Sequence, residues 1–141
     1  MDIKIVTKDA NTGVLSIGIP RPPKFVSGID LLVQIVVIEL LTSPGRDISD
    51  PQSGGNLRSL IGANLAFSDE AEVFAEVRIM ISSAEQNIKR KQRTVQRPSS
   101  EKLSRLDLID IVPDEENLQL EIILRVVSLD QQDTEAIVGL Q

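Results

Sequence analysis

Residues Val26 to Gly45 read VSGIDLLVQIVVIELLTSPG, the most apolar run in the chain. Ser27 is placed to cap a helix start, its hydroxyl accepting from a free first-turn N–H. Thr42, Ser43, Pro44 and Gly45 end the run, because Pro44 has no N–H to donate and Gly45 tolerates positive φ. A membrane span requires roughly 20 apolar residues. This run is about 15 long, roughly 22 Å as a helix, and it carries Asp30, Gln34 and Glu39. A buried strand pair suits its Val and Ile content. Its length and the spacing of the three polar residues favour a helix with one narrow polar stripe. A helix apolar on nearly every side must be enclosed on nearly every side. The rest of the chain is therefore expected to wrap it.

The chain has 141 residues, enough for one domain with a core. It has no Cys and no His, which removes disulfides, thiolate metal sites, the commonest general base and the commonest metal ligand. With no Trp or Tyr and three Phe, stacking platforms for sugars or bases are scarce. The first residues, MDIKIVTKD, do not read as a signal or transit peptide, so synthesis in a cytoplasm is expected. Net charge is −6, unevenly spread. Lys89 to Arg97 holds five basic residues and no acid, whereas Glu101 to the end holds ten acids and three bases. Such asymmetry suits oppositely charged neighbours on two sides, or else a solvated helix end followed by an acidic sheet face.

Upstream of the apolar run, Ile3 and Ile5 alternate, as do Leu15, Ile17 and Ile19, with Asp9, Asn11 and Gly13 as turn residues between. This predicts an N-terminal hairpin or extended arm over residues 1–25, followed by a domain over 26–141. Pro20, Pro22 and Pro23 make a stiff connector, and Phe25 and Val26 are expected to enter the core as a staple. Downstream, RDISDPQSGG is a dense loop signal. Its paired glycines lack the Lys-Ser/Thr of a nucleotide-binding loop. Asn56 is expected to cap a short helix ended by Gly62. Ser68 is expected to cap a second helix running to about Lys91, with Val73, Phe74, Val77, Ile81, Ala84 and Ile88 on one face and a basic last turn. Leu106 to Val112 and Leu118 to Val127 read as an antiparallel hairpin turning at Asp114 to Asn117. Leu106 and Leu108 face one way, Ile109 and Ile111 the other. Ala136 to Leu140 is expected as a short edge strand or arm. The fold class expected is α+β, two long helices packed on a small mostly antiparallel sheet, with an extended N-terminal hairpin or arm.

Catalytic chemistry is thin. Ser, Thr and Lys lack a His to activate them, and none of Asp47, Asp50, Glu70 or Glu72 sits in an apolar setting that would raise its pKa for acid catalysis. The basic stretch has no interleaved aromatic, so no nucleic-acid partner is expected. No enzyme, cofactor, metal site or membrane association is expected.

Gly28, Leu32, Gln34, Leu40-Leu41-Thr42, Pro44-Gly45-Arg46, Asp50-Pro51 and Gly54-Gly55 stand in an order that resembles the front half of the baseplate wedge protein family of contractile-tailed phages. Related members occur in type VI secretion systems and extracellular contractile injection systems. The second half is similar too: a helix ending at Ile88 and a basic tail, then Glu101, Arg105-Leu106, Leu108, Ile111 and a long alternating strand. The likeness covers roughly residues 26 to 130. It implies a structural subunit of the inner wedge, located in the virion's tail baseplate. Its partners would be other wedge subunits, the tail sheath protein and the central hub or spike, in a symmetric ring. Much of the family carries Glu-Pro-Arg after the second helix, and this chain does not. The matching positions are Arg93, in Lys91-Gln92-Arg93, or Arg105, in Leu103-Ser104-Arg105 with Glu101 nearby. Arg105 is preferred, because a strand start aims a guanidinium better than a fraying helix end, and its fork holds a carboxylate by two bonds. With Arg46 and Asp50, these are the interface candidates. A terminal segment, 1–19 or 130–141, is expected to reach a neighbouring subunit. The other readings are a soluble adaptor or regulatory protein with one partner, and a cell-wall hydrolase.

Overall fold

The computed structural model describes residues 2–62, 70–114 and 119–140. In chain order the elements are β1 (Asp2–Ile3), β2 (Val6–Lys8), β3 (Val14–Ile17), β4 (Phe25–Val26), α1 (Gly28–Leu41), α2 (Glu70–Gln92), β5 (Leu103–Asp114), β6 (Gln119–Ser128) and β7 (Asp133–Leu140). Short 3-10 helices span Leu57–Gly62 and Ser99–Glu101. β1 and β4 form a two-stranded ribbon, and the main sheet runs β2-β3-β7-β6-β5.

The apolar run folds as a helix because its burial is met from three sides. Leu31, Leu32, Val36, Val37 and Leu40 are fully enclosed. α1 lies over β6 and β7 and against α2, which itself lies along β5. The inner rows of the sheet follow the two-residue strand period: Leu120, Ile122, Leu124 and Val126 on β6, with Ala136, Val138 and Leu140 on β7. α2 buries Val77, Ile81, Ala84 and Ile88 of the expected face and packs Val73 against the core, whereas Phe74 lines an open groove. No helix among the described residues is long and apolar enough to cross a membrane.

The chain is α+β, but the architecture expected from its sequence is overturned. Seven strands in two sheets, not a small sheet, carry the helices, and α1 is only 14 residues long. The N-terminal hairpin is not an arm. β3 pairs parallel with β7, Val14 opposite Ile137 and Leu15 opposite Val138, while β2 closes that edge of the sheet antiparallel to β3. β7 is likewise neither an edge strand nor an arm, since it lies between β6 and β3. The reason is the unpaired backbone of β7: its second edge needs a ladder, and the N-terminal strand supplies it. Both terminal stretches expected to reach a neighbour are thus paired within their own chain.

Three local expectations change as well. Val26 is buried, but Phe25 is 70% exposed. Adjacent strand residues face opposite ways, so only one enters the core, and Phe25 instead stands opposite Ile3 on the β1–β4 ribbon. Ser27 is the N-cap residue of α1, yet its side chain makes no capping hydrogen bond. A bulge between Leu108 and Asp110 shifts the register of β5, so Ile111 faces Ile122 and packs on the core, while Ile109 remains exposed. Ser68 and residues 115–118, on which most of the turn expected at Asp114 to Asn117 falls, lie outside the described residues.

Both sheet edges are held by helix side chains. Gln34 of α1 accepts from Ile5 N (2.7 Å) and Val6 N (3.2 Å) and donates to Ile3 O (3.0 Å). Glu85 of α2 accepts from Leu106 N at 2.9 Å on β5. The Gln34→Leu variant leaves three main-chain groups without that partner. It should lower stability by about 2–3 kcal/mol in urea denaturation, with faster hydrogen exchange at the Ile5 and Val6 amides.

Candidate functional site

The sequence candidates fall into two joints and a set of outward cations. The first joint lies beyond the C-terminal end of α1. Glu39 comes from the polar stripe of the apolar helix and is almost fully buried, its side chain 6% exposed. Such a carboxylate must be answered by donors and a counter-charge. Gly54 N donates to it at 2.8 Å, Ser53 Oγ donates at 3.2 Å, and Lys91 Nζ from the last turn of α2 approaches to 2.8 Å. Lys91 also donates to Ser53 Oγ. The backbone joins in: Gly55 N donates to Glu39 O at 2.7 Å and Asn56 N to Thr42 O at 3.2 Å. These bonds satisfy carbonyls that the end of α1 leaves free.

The glycine pair therefore serves close packing, not phosphate binding. At Gly54, with φ of +119°, a Cβ would lie 2.6 Å from the Thr42 carbonyl oxygen. Beside this joint, Arg90 Nη2 holds both oxygens of Asp50, at 3.0 and 3.1 Å. Asp50 is thus engaged within the chain.

The second joint lies at the N-terminal end of α1. Gly28 N donates to Glu101 Oε1 at 3.0 Å, across 73 positions of sequence. A carboxylate there meets the positive end of the helix dipole as well as a free N–H, the role expected of Ser27. Glu101 is buried, with Arg97 Nη1 at 3.7 Å from its other oxygen. Gln92, at the end of α2, donates to Glu101 O (3.1 Å) and accepts from Leu103 N (2.8 Å), tying α2 to the start of β5. Of the basic stretch, Lys89, Arg90, Lys91 and Arg97 are all ion-paired within the chain.

Three candidates face outward. Arg93 and Arg46 are exposed and have no ion-pair partner among the described residues. Arg105 is 57% exposed and engages Asp107 through Nε at 2.9 Å, within its own strand. The candidates do not converge on one spot: Glu101 and Asp50 belong to internal joints, and the arginines lie on separate elements.

Among the described residues, two carboxylates are held below the ordinary aspartate range. Asp47 is lowered by the Ser49 hydroxyl and then the Ser49 N–H, and Asp9 by the N–H groups of Thr12 and Asn11. Both are turn-stabilising contacts, and a lowered pKa is the wrong direction for a general acid at neutral pH. No group of three or more metal-ligating carboxylates occurs among the described residues. On α2, an open groove of about 600 Å³ runs along Phe74, Ala75 and Ile79, with Arg78 set over the Phe74 ring at 5.4 Å.

Sequence reasoning did not find Lys91 as the partner of Glu39, Gln92 as a strand anchor or Glu85 as an edge guard. The usable signal was Glu39 itself, since a charge inside so apolar a run requires an opposite charge from elsewhere. Nothing local identifies which lysine supplies it. Compared with family models, curated proteins and solved structures, the chain returns no match.

Glu39→Ala removes the acceptor of Gly54 N and the counter-charge of Lys91 together. It should cost about 3 kcal/mol, with Lys91→Met costing about 2 because Lys91 is partly exposed and Glu39 keeps its other donors. A double-mutant cycle by chemical denaturation should return a coupling of about 1 kcal/mol or more. For Asp47, the depressed folded pKa means its contribution is present above the unfolded value and lost as pH falls through the folded one. Carboxyl NMR titration of the native protein should place its midpoint below that of an unfolded peptide.

Proposed function

We propose that this chain is a structural subunit of a contractile-tail baseplate, set in the inner wedge around the hub and serving as an attachment site for the first sheath ring. The observation that carries this reading is the meeting of its two halves. Residues behind the resemblance come from both halves of the covered stretch, and Gly28 of the first meets Glu101 of the second; Gln34 with the N-terminal strand and the Gly54-Gly55 loop with the end of α1 complete the internal frame. A subunit that joins others in a ring must hold its shape under load, and these joints tie both ends of α1 to distant parts of the chain.

The outward cations supply the contacts. Arg105 uses only Nε within the chain, so its terminal nitrogens carry no hydrogen bond among the described residues. An incoming carboxylate is suited to that fork. Arg46 and Arg93 add positive charge on other faces. An acid-bearing wedge or sheath subunit is the fitting partner.

The test is placement in the particle. The labelled chain should be imaged at the baseplate of intact tails. Replacing Arg46, Arg93 and Arg105 together by Ala should leave the circular dichroism unchanged and lower the yield of sheathed tails roughly tenfold, equivalent to a loss of about 1.4 kcal/mol in one contact. A chain that is absent from purified tails and binds a single soluble protein would overturn the proposal in favour of an adaptor. A lysis band on a peptidoglycan zymogram would overturn it in favour of a hydrolase.

A further inference from the structure

The two edges of the main sheet differ in the unpaired charge they carry. β2 and β5 are the two opposite edges of that sheet, and the β1–β4 ribbon continues the β2 side through the three bonds to Gln34. On the β2 side stand four large apolar side chains that are about half exposed or more: Ile3 (49%), Ile17 (50%), Ile19 (64%) and Phe25 (70%). Ile3 and Phe25 are direct cross-strand partners, so they share one face of the ribbon. Among them lie Lys4, Lys8, Arg21 and Lys24, none of which has an ion-pair partner among the described residues. The contrast with the end of α2, where four of five cations are paired internally, marks this side as uncompensated.

The complement is the half of β5 next to β6's start, away from Lys102 and the Arg105–Asp107 pair at the beginning of the strand. Ile109 and Val112 are exposed there, at 41% and 39%. Asp110 takes only the neighbouring Ile111 N–H, and Glu121, opposite Val112 on β6, has no cation partner among the described residues. One edge thus offers apolar surface with an excess of positive charge, four cations unpaired among the described residues against Asp2 and Asp9. The far edge offers apolar surface with uncompensated negative charge. Complementary patches at opposite ends of one molecule make a heterologous contact, which closes into a ring or continues as a filament.

We propose that copies of this chain associate head to tail, the basic apolar β2 side of one copy docking on the acidic apolar β5 side of the next. The contact is made by side chains rather than by extending the sheet. The outer edge of β2 already gives Val6 N to Gln34, β5 gives Leu106 N to Glu85, and β5 is bulged at two places. The inference does not rest on the baseplate reading, because self-association of purified protein and location in a tail are separate measurements.

The experiment is sedimentation velocity over a range of protein concentrations, at ionic strengths of about 0.02 M and about 0.5 M. The wild-type chain should form oligomers larger than dimers at low salt and dissociate at high salt. Lys4→Glu with Lys24→Glu should weaken association at least about tenfold, and Asp110→Lys with Glu121→Lys should do the same. Mixing these two variants should restore association, because each then offers the patch the other needs. A contact between like patches would respond to only one of the two double reversals, and that result overturns the proposal. A wild-type chain that stays monomeric at every concentration and both salts overturns the proposal. So does association that survives both charge reversals. Flotation of a monomeric wild-type chain with vesicles containing phosphatidylserine would assign the basic patch to a membrane surface instead.

Discussion

A carboxylate buried at the far end of the most apolar helix is the constraint around which the molecule closes. Glu39 cannot remain charged inside the core without donors, and none is available on α1 itself. The loop after the helix is therefore drawn back over the helix end, and the last turn of α2 is drawn in to bring Lys91 to 2.8 Å. That single requirement sets the path of residues 42–56, the need for glycine at 54, and the relative position of the two helices' C-terminal ends. Removing one partner leaves the other buried and unanswered, so the pair acts more as a positioning device than as a source of net stability.

The same logic recurs at the other end of α1. Glu101 comes from the 3-10 turn before β5 and takes Gly28 N, while Gln92 holds the main chain on either side of Lys102. α1 is thus tied at both ends to segments far away in sequence, and each tie is a charge or amide meeting a free main-chain group. The sheet edges are guarded in the same manner by Gln34 and Glu85. Guarded and bulged edges resist open-ended strand pairing.

Much of the local structure is legible from the residues alone. The presence of α2 and of the β5–β6 hairpin follows from apolar periodicity, although β5 runs Leu103–Asp114 rather than Leu106 to Val112, and α1 follows from a run too short for a bilayer and broken by spaced polar groups. The expectation of a small sheet with an arm failed at Val14-Leu15, whose parallel partners lie more than 120 positions away in β7. Alternation shows that a segment is a strand but not which strand it joins. The orientation of Ile111 failed for a related reason, since a bulge resets the two-residue period and no residue near Leu108 announces it. Of the candidate interface residues, Arg46, Arg93 and Arg105 lie outward, while Asp50 and Glu101 are turned to internal partners that only proximity in the fold reveals.

The sequence by itself determined that this is an α+β chain with a buried central helix, an amphipathic second helix and a long alternating strand, because burial period is a local property of residues a few positions apart. Only the tertiary structure decided the five-strand order, the partner of Glu39 and the cap of Gly28. Those depend on which distant segments come together, and a backbone ladder or an ion pair carries no mark in the sequence of the partner it will find.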